Sequence, residues 1–282
     1  MSNPRASSVV TLRDRTYPAI VALIVGLFRL LRFRMTVVGA EHIPLAGGAV
    51  LAANHTGFLD FCFVGAAARK KKRLVRFMCK REVFDNPLGG PVMRSMHHIP
   101  VDRDAGSGAF GVALKYLRSG ELVGIFPEGS ISRSFEPMSF MPGATALAAG
   151  ASVPLIPMAV WGSQRIWTKA TFRALRFRRI PVTIICGEPM TFERREDHAA
   201  ATQRVRHAVV DLLQQAQADY PDQPRTTKDS WWLPARLGGT APTPEAALTI
   251  EQQRRAHKAA SAHRAGIDDQ PKDSDGSSEP SA

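Results

Sequence analysis

Between Met35 and Tyr220, short apolar runs bounded by glycine and proline alternate with segments of helical character. Met35–Val38, Ala49–Ala53, Leu74–Cys79, Ile99–Val101, Leu122–Phe126, Pro154–Val160 and Val182–Cys186 read as strands. Phe61–Ala68, Ala109–Leu117 and Ala144–Ala149 read as helices, and so does Pro87–Met96, where proline suits a first turn. From about Glu196, Val205, Val209, Leu212 and Ala216 recur at helical spacing until Pro221 ends the run. Strands alternating with helices in this way predict one α/β domain over residues 35–221, a mixed sheet flanked by helices.

The flanks differ from this core. Residues 1–34 are basic around an apolar stretch, Tyr17–Phe28, which no signal-peptide cleavage pattern follows. The stretch is shorter than the ~20 residues a spanning helix needs. A helix lying in a membrane interface is expected, with Phe28, Leu30 and Leu31 toward the acyl chains and Arg29, Arg32 and Arg34 reaching to headgroups. Residues 222–282 form a polar extension. In it Thr249 and Gln252 suggest a capping box for a short helix through His263, and Gly266–Ala282 has a disorder-prone composition. Trp231 and Trp232 suit either an interfacial anchor or packing against the domain.

The chain of 282 residues carries a net charge of +12, which implies an anionic partner. Arg69–Arg73, Arg76, Lys80 and Arg81 supply one basic group, and Arg173, Arg176, Arg178 and Arg179 another. With 7% aromatic residues and no helix-turn-helix, zinc or RNA-binding signature, no nucleic acid is expected, and a membrane surface with anionic lipids is the expected partner. Cys62, Cys79 and Cys186 are too dispersed for a disulfide framework. Gly106–Gly111 spells GxGxxG, but Asp102-Arg103-Asp104 intrudes where a dinucleotide fingerprint needs a tight turn.

The chemistry concentrates at Asn54–Asp60, which follows an apolar strand and opens a helix. His55 and Asp60 are five apart and cannot share a helix face. They can meet if His55 stands in the turn and Asp60 in the first helical turn. The carboxylate then fixes the imidazole tautomer and leaves the other nitrogen to take a proton. Cys62 is a poor nucleophile here, because it falls inside an apolar helix.

Three further blocks follow in order: Lys80–Phe84 leading through Asn86–Gly90 to Ile99–Arg103, then Phe126–Ser130, then Val153–Pro157. With these four blocks the sequence resembles the glycerolipid acyltransferase family that contains the 1-acylglycerol-3-phosphate acyltransferases. The resemblance implies a glycerol-3-phosphate acyltransferase-like fold and transfer of a fatty acyl group from acyl-CoA or acyl-carrier protein to a lysophospholipid hydroxyl. Lysophosphatidate is the first candidate acceptor; another lysolipid or a glycolipid is the alternative. It implies no cofactor beyond the thioester co-substrate, and a peripheral or monotopic place at the cytoplasmic membrane face. His55 would be the general base and Asp60 its partner. Arg103 would bind the acceptor's phosphate, Glu128 and Gly129 would shape that site, and Lys80 and Ser130 would contribute to it. Pro154 and Pro157 would line the acyl side.

The chain departs from the family pattern at three places. Ile131 stands where arginine is usual, with Arg133 two residues on as a possible substitute. Met141 replaces a usual lysine, and His97 a common glycine. The first two changes bear on the acceptor headgroup rather than on acyl transfer. They leave room for a lipid-binding module without catalysis, which the intact His55 and Asp60 oppose.

Overall fold

The computed structural model describes residues 16–102, 108–169, 171–172, 179–254 and 256. Nine strands and eight α-helices run in chain order among the described residues: α1 (Thr16–Leu30), β1 (Arg34–Val38), β2 (Ala49–Ala53), α2 (Asp60–Arg69), β3 (Val75–Lys80), α3 (Arg81–Asp85), α4 (Gly89–Ser95), β4 (Ile99–Val101), α5 (Gly108–Arg118), β5 (Leu122–Ile125), α6 (Gly143–Ala151), β6 (Leu155–Trp161), β7 (Trp167–Thr168), β8 (Thr171–Phe172), β9 (Pro181–Cys186), α7 (His198–Ala218) and α8 over 244–254.

Seven strands form one sheet in the order β1-β9-β6-β2-β5-β3-β4. Every neighbouring pair is parallel except β6 with β9. β2 is buried along its whole length, as a parallel strand covered on both faces must be. Its side chains alternate: Ala49, Leu51 and Ala53 join Phe28, Phe63 and Ala67 on one face, while Val50 and Ala52 join Leu117, Leu147 and Val209 on the other. Helices α1 and α2 thus cover one side, and α5, α6 and α7 the other. Because β2, β3, β4, β5 and β6 are parallel, their carboxyl ends share one edge, where open α/β sheets place ligands.

Four expectations need correction. Phe28 does not face outward: it is 3% exposed and stacks on Phe63 with centroids 4.8 Å apart. Leu31 also packs against that core, and only Leu30 of the three points out. A helix that is apolar all round leaves its period silent about which side the core takes. Second, α4 starts at Gly89 rather than Pro87, because the Asn86 side chain accepts from the Leu88 and Gly89 amides. Third, Thr249 is not a cap. It lies inside α8 and donates to the Glu245 carbonyl, while Thr243 accepts from the Ala246 amide, with Pro244 as the first helical residue. Fourth, Arg73 and Arg76, counted above in a basic group, are engaged within the domain. Arg73 ties Pro44, Gly47 and Gly120 by their carbonyls, and buried Arg76 pairs with Glu121 and donates to Met96 O at 2.9 Å.

Trp232 packs inside, against Trp161 and Tyr220, so the first part of the extension is bound to the domain. The rest of the proposed helix to His263, and Gly266–Ala282, lie outside the described residues.

Candidate active site

The site begins where β2 ends. Asn54 extends the sheet with its side chain: it donates to Val160 O at 3.0 Å and accepts from Val160 N at 2.7 Å. This stitch to β6 fixes the chain direction just before His55. Gly57 passes so close to Ser163 and Trp167 that a Cβ there would lie 3.0 Å from each. The Phe58 amide donates to Trp167 O, and the Thr168 hydroxyl to Thr56 O. The turn from β2 to α2 is therefore clamped from both sides.

Asp60 opens α2 and is fully buried. Its Oδ2 accepts from Thr56 N at 2.7 Å and Gly57 N at 2.8 Å and is 2.9 Å from His55 Nδ1; its Oδ1 accepts from the Ser163 hydroxyl. A buried charge is tolerable when paired and hydrogen-bonded to this extent. A carboxylate accepts, so Nδ1 carries the proton and Nε2 presents its lone pair. Among the described residues nothing hydrogen-bonds Nε2, and the side chain of His55 is 19% exposed. Phe126 stacks on the imidazole at 4.2 Å and 18° and holds the ring plane.

Glu128 works from beneath. One oxygen accepts from the His55 amide at 2.7 Å and the other from the Met138 amide at 2.9 Å, so both are engaged by backbone. It positions the His55 turn, with each carboxylate oxygen already accepting from a backbone amide. Burial pushes its carboxyl up to about 8, against the pull of the two amides. Gly129 has φ 65°, a left-handed conformation that glycine adopts without strain. The Ser132 amide donates to His55 O at 2.8 Å, which completes the coupling of this loop to the catalytic turn.

The other expected residues divide. Lys80 is exposed at the carboxyl end of β3, on the His55 edge of the sheet. Ser130 lies on the Glu128 loop and accepts from Lys169 Nζ at 2.8 Å. Arg133 is half-buried nearby. Pro157 is not brought to this edge: it lies inside β6, paired with Ala52, and its ring faces the Gly187 side near Leu212 of α7. Arg103, and Gly106 and Ser107 of the glycine motif, lie outside the described residues, as do Arg173, Arg176 and Arg178. Ile131 is buried, so this position carries packing rather than charge. Met141 is exposed. His97 has φ 54°, which accounts for a glycine being common there. Burial pushes the Cys62 thiol far up, so it is no thiolate nucleophile. Sequence reasoning missed Ser163, Phe126 as a ring platform and Lys169. Ser163 and Lys169 carry no motif, and only the fold brings them to the turn.

An imidazole–carboxylate pair with Nε2 open, at the carboxyl edge of a parallel sheet, has the geometry that a general base in a transferase needs. The acyltransferase family model, described as Acyltransferase, matches residues 34–161. A 1-acyl-sn-glycerol-3-phosphate acyltransferase of Bacillus subtilis is 31% identical over 57% of this chain and 75% of its own. One from Limnanthes douglasii is 32% identical over 52% of this chain and 50% of its own. The crystal structure of the LPA acyltransferase PlsC from Thermotoga maritima superposes with a TM-score of 0.61 at 20% identity, over 74% of this chain and 83% of that one, and so shares the fold. The chain belongs to the 1-acyl-sn-glycerol-3-phosphate acyltransferase family and is an acyltransferase. A dinucleotide-dependent oxidoreductase is thereby set aside.

Proposed function

We propose that this acyltransferase moves a fatty acyl group from acyl-CoA or acyl-carrier protein to the free hydroxyl of lysophosphatidate, giving phosphatidate. One observation carries the mechanism: Asp60 holds His55 by Nδ1 while Nε2 stays open. Nε2 takes the acceptor's hydroxyl proton as its oxygen attacks the thioester carbonyl. Asp60 stabilises the imidazolium. The intermediate collapses with cleavage of the C–S bond, and the leaving thiolate takes the proton back from His55. The donor is already activated, so no protein nucleophile is needed and correct placement of the acceptor does the rest. The names of the relatives support the choice of acceptor.

The reaction would take place at the cytoplasmic face of a membrane. Ala19, Ala22, Leu23, Gly26, Leu27 and Leu30 recur at helical spacing on the exposed side of α1, beside exposed Arg29 and Arg32. An apolar stripe flanked by arginines suits an anionic lipid surface. Among the described residues no helix is long and apolar enough to cross a membrane.

The test is product formation from labelled acyl-CoA and acyl-carrier protein, each offered lysophosphatidate, lysophosphatidylcholine, lysophosphatidylethanolamine or a glycolipid. Phosphatidate from lysophosphatidate as the preferred acceptor supports the reading. Turnover of the other acceptors with none of lysophosphatidate rejects it.

A further inference from the structure

Lys169 and Arg133 have no part in the proton transfer, yet they adjoin the catalytic turn. Lys169 follows Thr168, whose hydroxyl donates to Thr56 O at 2.8 Å. Its ammonium donates to Ser130 Oγ at 2.8 Å and pairs with Glu251 Oε2 at 2.9 Å. Ser130 follows Glu128 and Gly129, so the ammonium sits on the loop that holds the His55 amide. Arg133 lies on the same loop, and its charge bears on Lys169. The Nε of Arg133 is buried and has no hydrogen-bond partner among the described residues. Burial lowers the Lys169 pKa, Glu251 raises it, and Arg133 and Arg254 lower it again.

Lys169 thus meets a serine hydroxyl and the carboxylate of Glu251 on α8, with the charge of Arg133 close enough to bear on the ammonium. The side chains of Lys169 and Glu251 are only 16% and 22% exposed, so this is not a wholly solvated surface pair. A buried N–H without an acceptor is costly unless something fills it in another state. Glu251 reaches in on a helix that is lightly held: from Pro244 to Arg254, Ala247 is its one buried side chain. Segments with so little burial open at low cost. A phosphate monoester offers three acceptor oxygens to the same donors, and its negative charge repels a carboxylate held beside it.

We propose that Lys169 and Arg133 seat the acceptor's phosphate monoester, and that Glu251 on α8 occupies this seat until the acceptor displaces it. The proposal rests on the reading of the acceptor as a phosphate-bearing lysolipid. Glu251 is then an intramolecular competitor, and α8 a latch over the acceptor's headgroup site.

Calorimetric titration of the full chain with glycerol 3-phosphate, inorganic phosphate and coenzyme A tests it, in wild type, Glu251→Gln and Lys169→Met. Relieving one partly exposed ion pair makes Glu251→Gln bind glycerol 3-phosphate about five-fold tighter than wild type. Losing a charged donor makes Lys169→Met bind it about ten-fold weaker or more. Melting curves show that each variant is folded, and Glu251→Gln carries the test if Lys169→Met is not. Equal affinity for glycerol 3-phosphate in wild type and Glu251→Gln overturns the latch, and so does no binding by either. A gain confined to inorganic phosphate, or to coenzyme A, overturns the assignment to the acceptor. A wild type that fails to acylate lysophosphatidate, while Glu251→Gln still gains affinity for glycerol 3-phosphate, removes the acceptor reading and leaves the latch.

Discussion

Asp60 accepts from two backbone amides, a serine hydroxyl and the His55 ring while fully buried, and its charge is held by those donors rather than by water. Asp60→Asn keeps the size but loses the charge that stabilises an imidazolium. Turnover should fall by about 10²–10⁴-fold with the fold retained, measured as kcat beside a melting curve. Ile131 gives a prediction of the opposite kind. Arginine there puts a charge where a buried isoleucine now sits, so Ile131→Arg should destabilise by about 3 kcal/mol or more in a denaturant titration. Glu128 contributes a pH dependence. Its carboxyl is raised from 4.5 to about 8, so the folded state holds a proton that the unfolded chain has lost. Its contribution is complete below 4.5 and is lost as pH rises through about 8, and Glu128→Gln should flatten that slope in melting temperature against pH. The His55–Asp60 pairing was legible because five-residue spacing across a strand-to-helix turn admits one way to meet. The second role of Glu128, as the clamp on the His55 amide, was not legible, since that contact spans 73 residues of sequence.

At the scale of elements, the junction of β2 with α2 depends on a side chain that acts as backbone. Asn54→Ala removes both bonds to Val160 and leaves a buried amide and carbonyl unsatisfied, with an expected loss of about 1–3 kcal/mol in denaturant titration. Helix α1 separates packing from exposure. Leu23 is 74% exposed and Leu27 47%, so Leu23→Glu with Leu27→Glu should abolish cosedimentation with anionic vesicles and leave the melting temperature nearly unchanged. If the double variant sediments with vesicles like wild type, α1 is not the membrane contact. The main strands and the long helices were readable because burial on both faces, or an amphipathic period, leaves a pattern over several residues. α3 spans five residues and β7 and β8 two each, too short to carry any period. The side of α1 that meets the core was unreadable for the other reason, an apolar residue at nearly every position.

The whole molecule is a three-layer sandwich whose parallel strands deliver the catalytic turn, the Glu128 loop and the end of β6 to one edge. Part of its stability rests on a neutral histidine in the interior. Burial, with the nearby charges of Arg76 and His97, lowers His98 from 6.5 to about 3, and its Nδ1 accepts from the Phe77 amide. A depressed pKa means stability present above 6.5 that is lost as pH falls toward 3, opposite in sense to Glu128 where the two windows overlap. The central claim is that His55, held by Asp60, removes the acceptor's proton. It is tested most directly by thiol release from acyl-CoA by the purified chain, with and without lysophosphatidate, beside His55→Ala. Acceptor-dependent release by wild type, reduced at least about 10²-fold in a folded His55→Ala, is the predicted result. Undiminished acceptor-dependent release from the folded variant would contradict it.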